Sequence, residues 1–208
     1  MEAGDLGLSR FIAGITGASG TIYGKRLVEV LVAGGHQVDL VVTEAGVRAW
    51  SLELGNADSG PEIGLQPFLE LMNRQGPGTV KQHDLHNIAA DIASGSVNVQ
   101  GMAVVPCSMS AVSAIAHGLS SDLLERAADV TIKERRRLVL VPRESPLSLI
   151  HLRNMTTLAE MGVIIVPAAP AFYHKPKRIE ELVDFIITRV LHGLGVKENL
   201  FKPWEGDE

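Results

Sequence analysis

Cysteine is nearly absent from this 208-residue chain. Cys107 stands alone, so neither an internal disulfide nor a thiolate metal cage is open to the protein, and a reducing cytoplasm is the expected setting. Aromatic side chains supply only 4% of the residues against 21 glycines, a balance that favours tight turns and close backbone approach over an aromatic-rich binding face. Basic charge is also in deficit. Lys and Arg total 19 against 24 Asp and Glu, for a net charge of −5. That argues against general nucleic-acid binding, which depends on neutralising phosphates with cations. The stretch from Met1 to Arg10 has two acids and no apolar run, so no signal peptide is expected. Ile92 to Ser121 carries no Asp, Glu, Lys or Arg, but Gly95, Gly101, Pro106 and several serines break it, so no membrane span is expected either.

What the chain does have is apolar side chains, at 46% against 21% charged residues. That is enough to bury a core and to exclude wholesale disorder. Short runs rich in Val, Ile and Leu recur at 11–16, 38–42, 102–105, 138–141 and 163–166. Continuous rather than alternating runs are what parallel strands covered on both faces require. Between them lie helical patterns: Thr21 to Ala33, stopped by Gly34-Gly35, then Glu44 to Leu54, Ser110 to Ala116, Ser121 to Arg135, Ser148 to Glu160 and Ile179 to Leu194. Strand and helix in alternation predict right-handed crossovers and an α/β doubly wound parallel sheet in a single domain, with its core at about residues 9–195. The segment 55–82 departs from the rhythm and reads as an excursion within the domain, with a short helical pattern from Pro67 to Met72. The tail 197–208 is polar.

Open parallel sheets bind ligands beyond the carboxyl ends of their strands, and each run here is followed by a segment with chemical content. Gly17-Ala18-Ser19-Gly20 opens a helix, so its backbone amides can hold an anionic or carbonyl oxygen; a plain turn with Ser19 as helix cap is the other reading. Neither the dinucleotide pattern nor the nucleoside-triphosphate loop fits, because Ser19 stands where each needs a glycine and Arg26 where the latter needs a hydroxyl. After the third run, Cys107 reads as a small core residue, while Ser108 and Ser110 offer hydroxyls suited to a phosphate or a flavin edge. His83 and His86 lack companion ligands and read as a solvated loop rather than a metal site. The three arginines of Lys133-Glu134-Arg135-Arg136-Arg137 suit a helix C-terminus. Pro142-Arg143-Glu144-Ser145-Pro146 braces a guanidinium and a carboxylate between two prolines, an arrangement that suits fixed presentation of both groups.

At these residues the sequence resembles the flavin prenyltransferase family of UbiX-like flavoproteins. The likeness runs through Gly14 to Gly20 with Tyr23-Gly24, Pro106 to Ser110, Leu119 to Lys133, Leu140 to Leu147 and Pro167 to Tyr173. The resemblance implies a flavodoxin-like or Rossmann-like fold that binds reduced FMN as prenyl acceptor. It further implies transfer of a dimethylallyl group from dimethylallyl monophosphate to flavin N5 and C6, without a metal. The product, prenylated FMN, would serve a UbiD-like decarboxylase, and the enzyme would be a homododecamer with pockets at subunit interfaces. By motif, Gly17, Ala18, Ser19, Thr43, Ser108, Met109, Ser110, Ala111 and Arg143 correspond to FMN-binding positions. Ser19, Glu53, Lys133 and Glu144 correspond to catalytic positions, and Tyr173, Arg189 and Lys133 to prenyl-phosphate contacts. Thr43 stands where the family commonly has Ser and keeps the hydroxyl. Two alternatives stay open: an FMN-dependent cysteine decarboxylase, disfavoured because the loop after the third run has no Asn, and a non-catalytic FMN carrier.

Overall fold

A computed structural model describes residues 9–55 and 64–201. Six strands form one fully parallel sheet: β1 (Arg10–Ile15), β2 (Gln37–Val42), β3 (Thr79–His83), β4 (Gly101–Cys107), β5 (Arg137–Pro142) and β6 (Ile164–Ile165). The strand order is β3-β2-β1-β4-β5-β6, the doubly wound arrangement in which the winding reverses between β1 and β4. Among the described residues seven α-helices surround the sheet: α1 (Thr21–Ala33), α2 (Glu44–Leu54), α3 (Leu65–Gln75), α4 (Met109–Ala116), α5 (Leu123–Lys133), α6 (Leu149–Glu160) and α7 (Ile179–Leu194). None of these helices is long and apolar enough to cross a membrane.

The side-chain period of two splits the core into two layers. Phe11, Ala13 and Ile15 of β1 face one side, where they meet Leu27, Val28 and Leu31 of α1 and Ile186, Val190 and Leu191 of α7. Ile12 of β1 faces the other side, with Met102 and Val104 of β4, Val112 of α4 and Leu124 of α5. Leu27 and Leu31 are both 1% exposed, and burial of that extent contributes about 2 kcal/mol each. Three helices begin with caps that the sequence supplies locally. Thr43, Ser108 and Asp122 accept from the amides of Gly46, Ala111 and Glu125. Ser148 and His151 form a reciprocal capping box on α6.

The structure departs from the sequence reading in three places. Of the stretch 55–82, residues 65–82 hold α3 and most of β3, a strand the sequence reading did not name, and β3 pairs with β2 through Val38↔Val80 and Val41↔His83; residues 56–63 lie outside the described residues. Of the apolar run 163–166, only Ile164 and Ile165 pair, at the sheet edge. His83 is buried rather than solvated. Its Nε2 lies 2.7 Å from Asp39 Oδ1, and Asp39 also accepts from Arg10 Nε at 2.5 Å and Arg10 Nη2 at 2.9 Å. Arg10 Nη2 reaches Asp91 at 2.7 Å as well. Asp39, His83 and Asp91 are close enough to share an ion, but the Arg10 guanidinium already engages both carboxylates. Those hydrogen bonds, Asp39 first, raise the Arg10 pKa further above its ordinary value despite partial burial. His86 remains exposed, 3.7 Å from Glu44.

Candidate active site

A crevice of about 340 Å³ opens at the carboxyl ends of β1, β2 and β4, at the point where the winding reverses and within the usual range of roughly 300–1,000 Å³ for small-molecule sites. Gly17, Thr43, Ser108, Ser110 and Ala111 line it, so five of the residues singled out by sequence share one cavity. Thr16 was not among them, yet it holds the rim together. Its amide and hydroxyl donate to the Pro106 carbonyl at 3.2 and 2.8 Å, and its oxygen accepts from the Ser108 amide at 2.8 Å. Gly17 is obligatory for space: a Cβ there would stand 2.5 Å from the Ala45 Cβ at the start of α2. Ala45, Asp122, Leu124 and Glu125 complete the lining. The only sequence trace of Asp122 is its place as an acid ahead of an apolar helix with Glu125 three residues on, which signals a helix start.

The amides at the start of α1 are occupied from within the chain. Glu53, at the end of α2, accepts from Gly20 N at 2.9 Å, Thr21 N at 2.8 Å and Thr21 Oγ1 at 2.8 Å. Ser19 is therefore not the cap of α1; Gly20 holds that position, at φ 109°. Burial pushes the Glu53 carboxyl up, but hydrogen bonds from the Ser19 and Thr21 hydroxyls and from the amides of Thr21 and Gly20 outweigh it and hold the group below its ordinary value. Ser19 and Glu53 thus meet at the rim, 33 residues apart in the case of Glu53 and Gly20.

Arg143 joins them from β5: its Nε donates to the Ser19 carbonyl at 3.2 Å. Glu144 is exposed and accepts from the Ser145 amide at 3.0 Å. Ala18 and Met109 are buried beneath the rim, at 5% and 8% exposure. Burial pushes the Cys107 thiol up to about 12, which leaves no thiolate at neutral pH and keeps the residue in the core.

Lys133, Tyr173 and Arg189 do not join this crevice within one chain. Lys133 ends α5 beside Gly95 and pairs with Glu134 at 2.5 Å, where the chain turns into the amino end of β5, at the opposite end of the strands from the crevice. Tyr173 and Arg189 share an aromatic ring. Tyr173 lies edge-on to Phe185 at 6.1 Å, and the Arg189 guanidinium lies 5.3 Å from the centre of the same ring. Phe185 is the residue that sequence reasoning overlooked there; its place four residues before Arg189 puts both on one helix face.

The flavoprotein family model matches residues 2–191. The flavin prenyltransferase UbiX of Alkalihalophilus pseudofirmus is 47% identical over 192 residues, 92% of this chain and 94% of its own length. The UbiX of Synechocystis is 46% identical over 94% of this chain and 95% of its own. This chain belongs to the flavin prenyltransferase family. Among solved structures of UbiX-like flavoproteins, the AnUbiX complex with FMN and dimethylallyl pyrophosphate superposes with a TM-score of 0.85 at 36% identity, covering 97% of this chain and all of the other. A dodecameric FMN-dependent UbiX-like decarboxylase from Escherichia coli O157:H7 superposes with a TM-score of 0.84 at 36% identity, covering 95% of this chain and all of the other. The cysteine decarboxylase TvaF superposes with a TM-score of 0.57 but is only 12% identical, a likeness of fold alone.

Proposed function

We propose that the protein is a flavin prenyltransferase: it holds reduced FMN in the crevice between β1, β2 and β4 and transfers a dimethylallyl group from dimethylallyl monophosphate to the flavin N5 and C6. One observation carries the reading. A chain 47% identical over nearly its whole length to a flavin prenyltransferase brings Gly17, Thr43, Ser108, Ser110 and Ala111 into one cavity at the reversal of the winding. The cavity suits a flavin because its walls combine hydroxyls with small side chains, and Gly17 admits no Cβ.

The chemistry sheds negative charge as the allylic C–O bond to phosphate breaks, and stabilising that charge is the largest demand on the site. Lys133 and Arg189 supply fixed cations, Tyr173 a hydrogen bond and Glu144 a proton for the departing phosphate, so no metal is called for. Ser19 and Glu53, in contact at the rim, carry away the proton released from the flavin. Arg143 and Met109 bind the flavin with the crevice residues.

Within one subunit Lys133 and the Tyr173–Arg189 pair do not line the crevice, and copies of the chain that bring them to it would complete the site. A homododecamer is the assembly we propose, by likeness to the dodecameric relative. The exposed Leu149 and Ile150, 61% and 64% accessible at the start of α6 and close in sequence to Glu144, are the apolar surface such an assembly would cover. The setting is cytoplasmic, and a UbiD-like decarboxylase receives the product.

Incubating the protein with reduced FMN and dimethylallyl monophosphate and then weighing the flavin tests the reading. A gain of one isoprenoid unit is expected. A flavin of unchanged mass would leave a carrier and refute the transferase.

A further inference from the structure

Asp122 lines the flavin crevice together with Glu125, and the two carboxylates differ in what they are free to do. Glu125 turns back to the Ser121 amide at 2.7 Å, inside its own cap. Asp122 spends Oδ1 on the Glu125 amide at 2.8 Å, and a carboxylate has further acceptor positions beyond the cap. No Lys, Arg or His among the described residues forms an ion pair with Asp122. Burial raises its pKa and the Glu125 charge adds to that, while the amides of Glu125 and Leu124 and the more distant His86 only partly counter them. A half-buried acceptor that no cation pairs with, the exposed His86 acting on it only at longer range, is set in a crevice whose other polar walls are the hydroxyls of Thr16, Thr43, Ser108 and Ser110, and it is suited to a neutral N–H or O–H donor. It is unsuited to a phosphate.

We infer that Asp122 is a flavin-binding residue: its carboxylate accepts a hydrogen bond from a neutral donor of FMN, a ribityl hydroxyl or a ring N–H, and so keeps the phosphate at the other end of the crevice. The inference rests on the reading of this crevice as the flavin site, and it adds an orientation to that reading. Two carboxylates at the α5 end repel a dianion, whereas a hydroxyl or ring N–H gains a charge-assisted bond there. The phosphate is thereby left to the ends of the crevice away from α5.

Asp122→Asn is the informative change. Asn caps helices as well as Asp does, so the start of α5 is kept while the charge is removed and one acceptor becomes a donor. Titration of the full-length protein with oxidised FMN and with riboflavin, followed by flavin fluorescence, reads the effect. The expected result is that Asp122→Asn weakens both flavins by a similar factor of about 10- to 100-fold, the size of a lost hydrogen bond to a charged group, with Tm within a few degrees of the parent. Unchanged affinity for both would show that Asp122 only caps α5. Tighter FMN with unchanged riboflavin would place the phosphate beside Asp122. Either result overturns the inference. Asp122→Ser, which also caps, repeats the test if the Asn variant is poorly folded. A parent protein that binds neither flavin would instead overturn the flavin reading itself.

Discussion

Glu53 accepts hydrogen bonds from both the amide and the hydroxyl of Thr21, each at 2.8 Å. The end of α2 thus serves as the cap that α1 lacks in its own sequence, and it binds the two helices together at the rim. Glu53→Ala removes that cap and should cost about 1–2 kcal/mol at neutral pH. The folded-state pKa of Glu53 lies below the ordinary 4.5, so its stabilisation is present in full above that value and disappears as pH falls through the lower, folded value. Urea unfolding of parent and variant should therefore show a wide gap in midpoint at pH 7 that narrows below about pH 4. A gap that stays constant with pH would show that the carboxylate charge plays no part.

Glu144 and Arg189 separate binding from chemistry. Glu144→Gln should retain FMN affinity and slow prenyl transfer by about 10²–10⁴-fold, as expected for a lost general acid. Arg189→Ala should raise KM for dimethylallyl monophosphate while leaving FMN titration unchanged. Loss of FMN binding in Arg189→Ala would mean that the flavin, not the prenyl phosphate, uses the Phe185 surface.

Gly17→Ala tests the crevice wall. The new Cβ would fall 2.5 Å from the Ala45 Cβ, so the start of α2 must move, at a cost of about 1–3 kcal/mol for overpacking. Thermal melting and flavin titration should both register the change: a lower Tm and weaker FMN binding. Full affinity at an unchanged Tm would place the flavin elsewhere.

Asp39→Ala should unfold at lower urea than the parent, with a loss of about 3 kcal/mol, because it strips the buried His83 of its partner and leaves the part-buried Arg10 with Asp91 alone. The cost belongs to stability alone. Catalysis at a temperature where the variant remains folded should match the parent.

Much of this architecture is written in local pattern. The apolar runs at β1, β2, β4 and β5 are buried on both faces, and α1, α2 and α7 end where the sequence signals place them, at Gly34, Gly55 and Gly195. β3 escaped because it is an edge strand: only Val80 and His83 of its five residues are buried, and Lys81 and Gln82 dilute the apolar signal. The crevice residues after β1, β2 and β4 were legible as strand-end motifs. Thr16 and Asp122 were not, since each acts through partners far along the chain or through a cavity wall, neither of which leaves a spacing to read. Lys133 and the Tyr173–Arg189 pair do not line the crevice, because sequence likeness matches motifs without fixing where each side chain lies in space.

The bond from Arg143 to the Ser19 carbonyl spans 124 residues and ties the loop after β5 to the loop after β1 across the top of β4. With one N–H spent on Ser19, the guanidinium keeps four further donors, so a ligand can engage it without breaking that bond. The strand-end loops thus hold one another's geometry before any ligand arrives, and the rim is set in advance of binding.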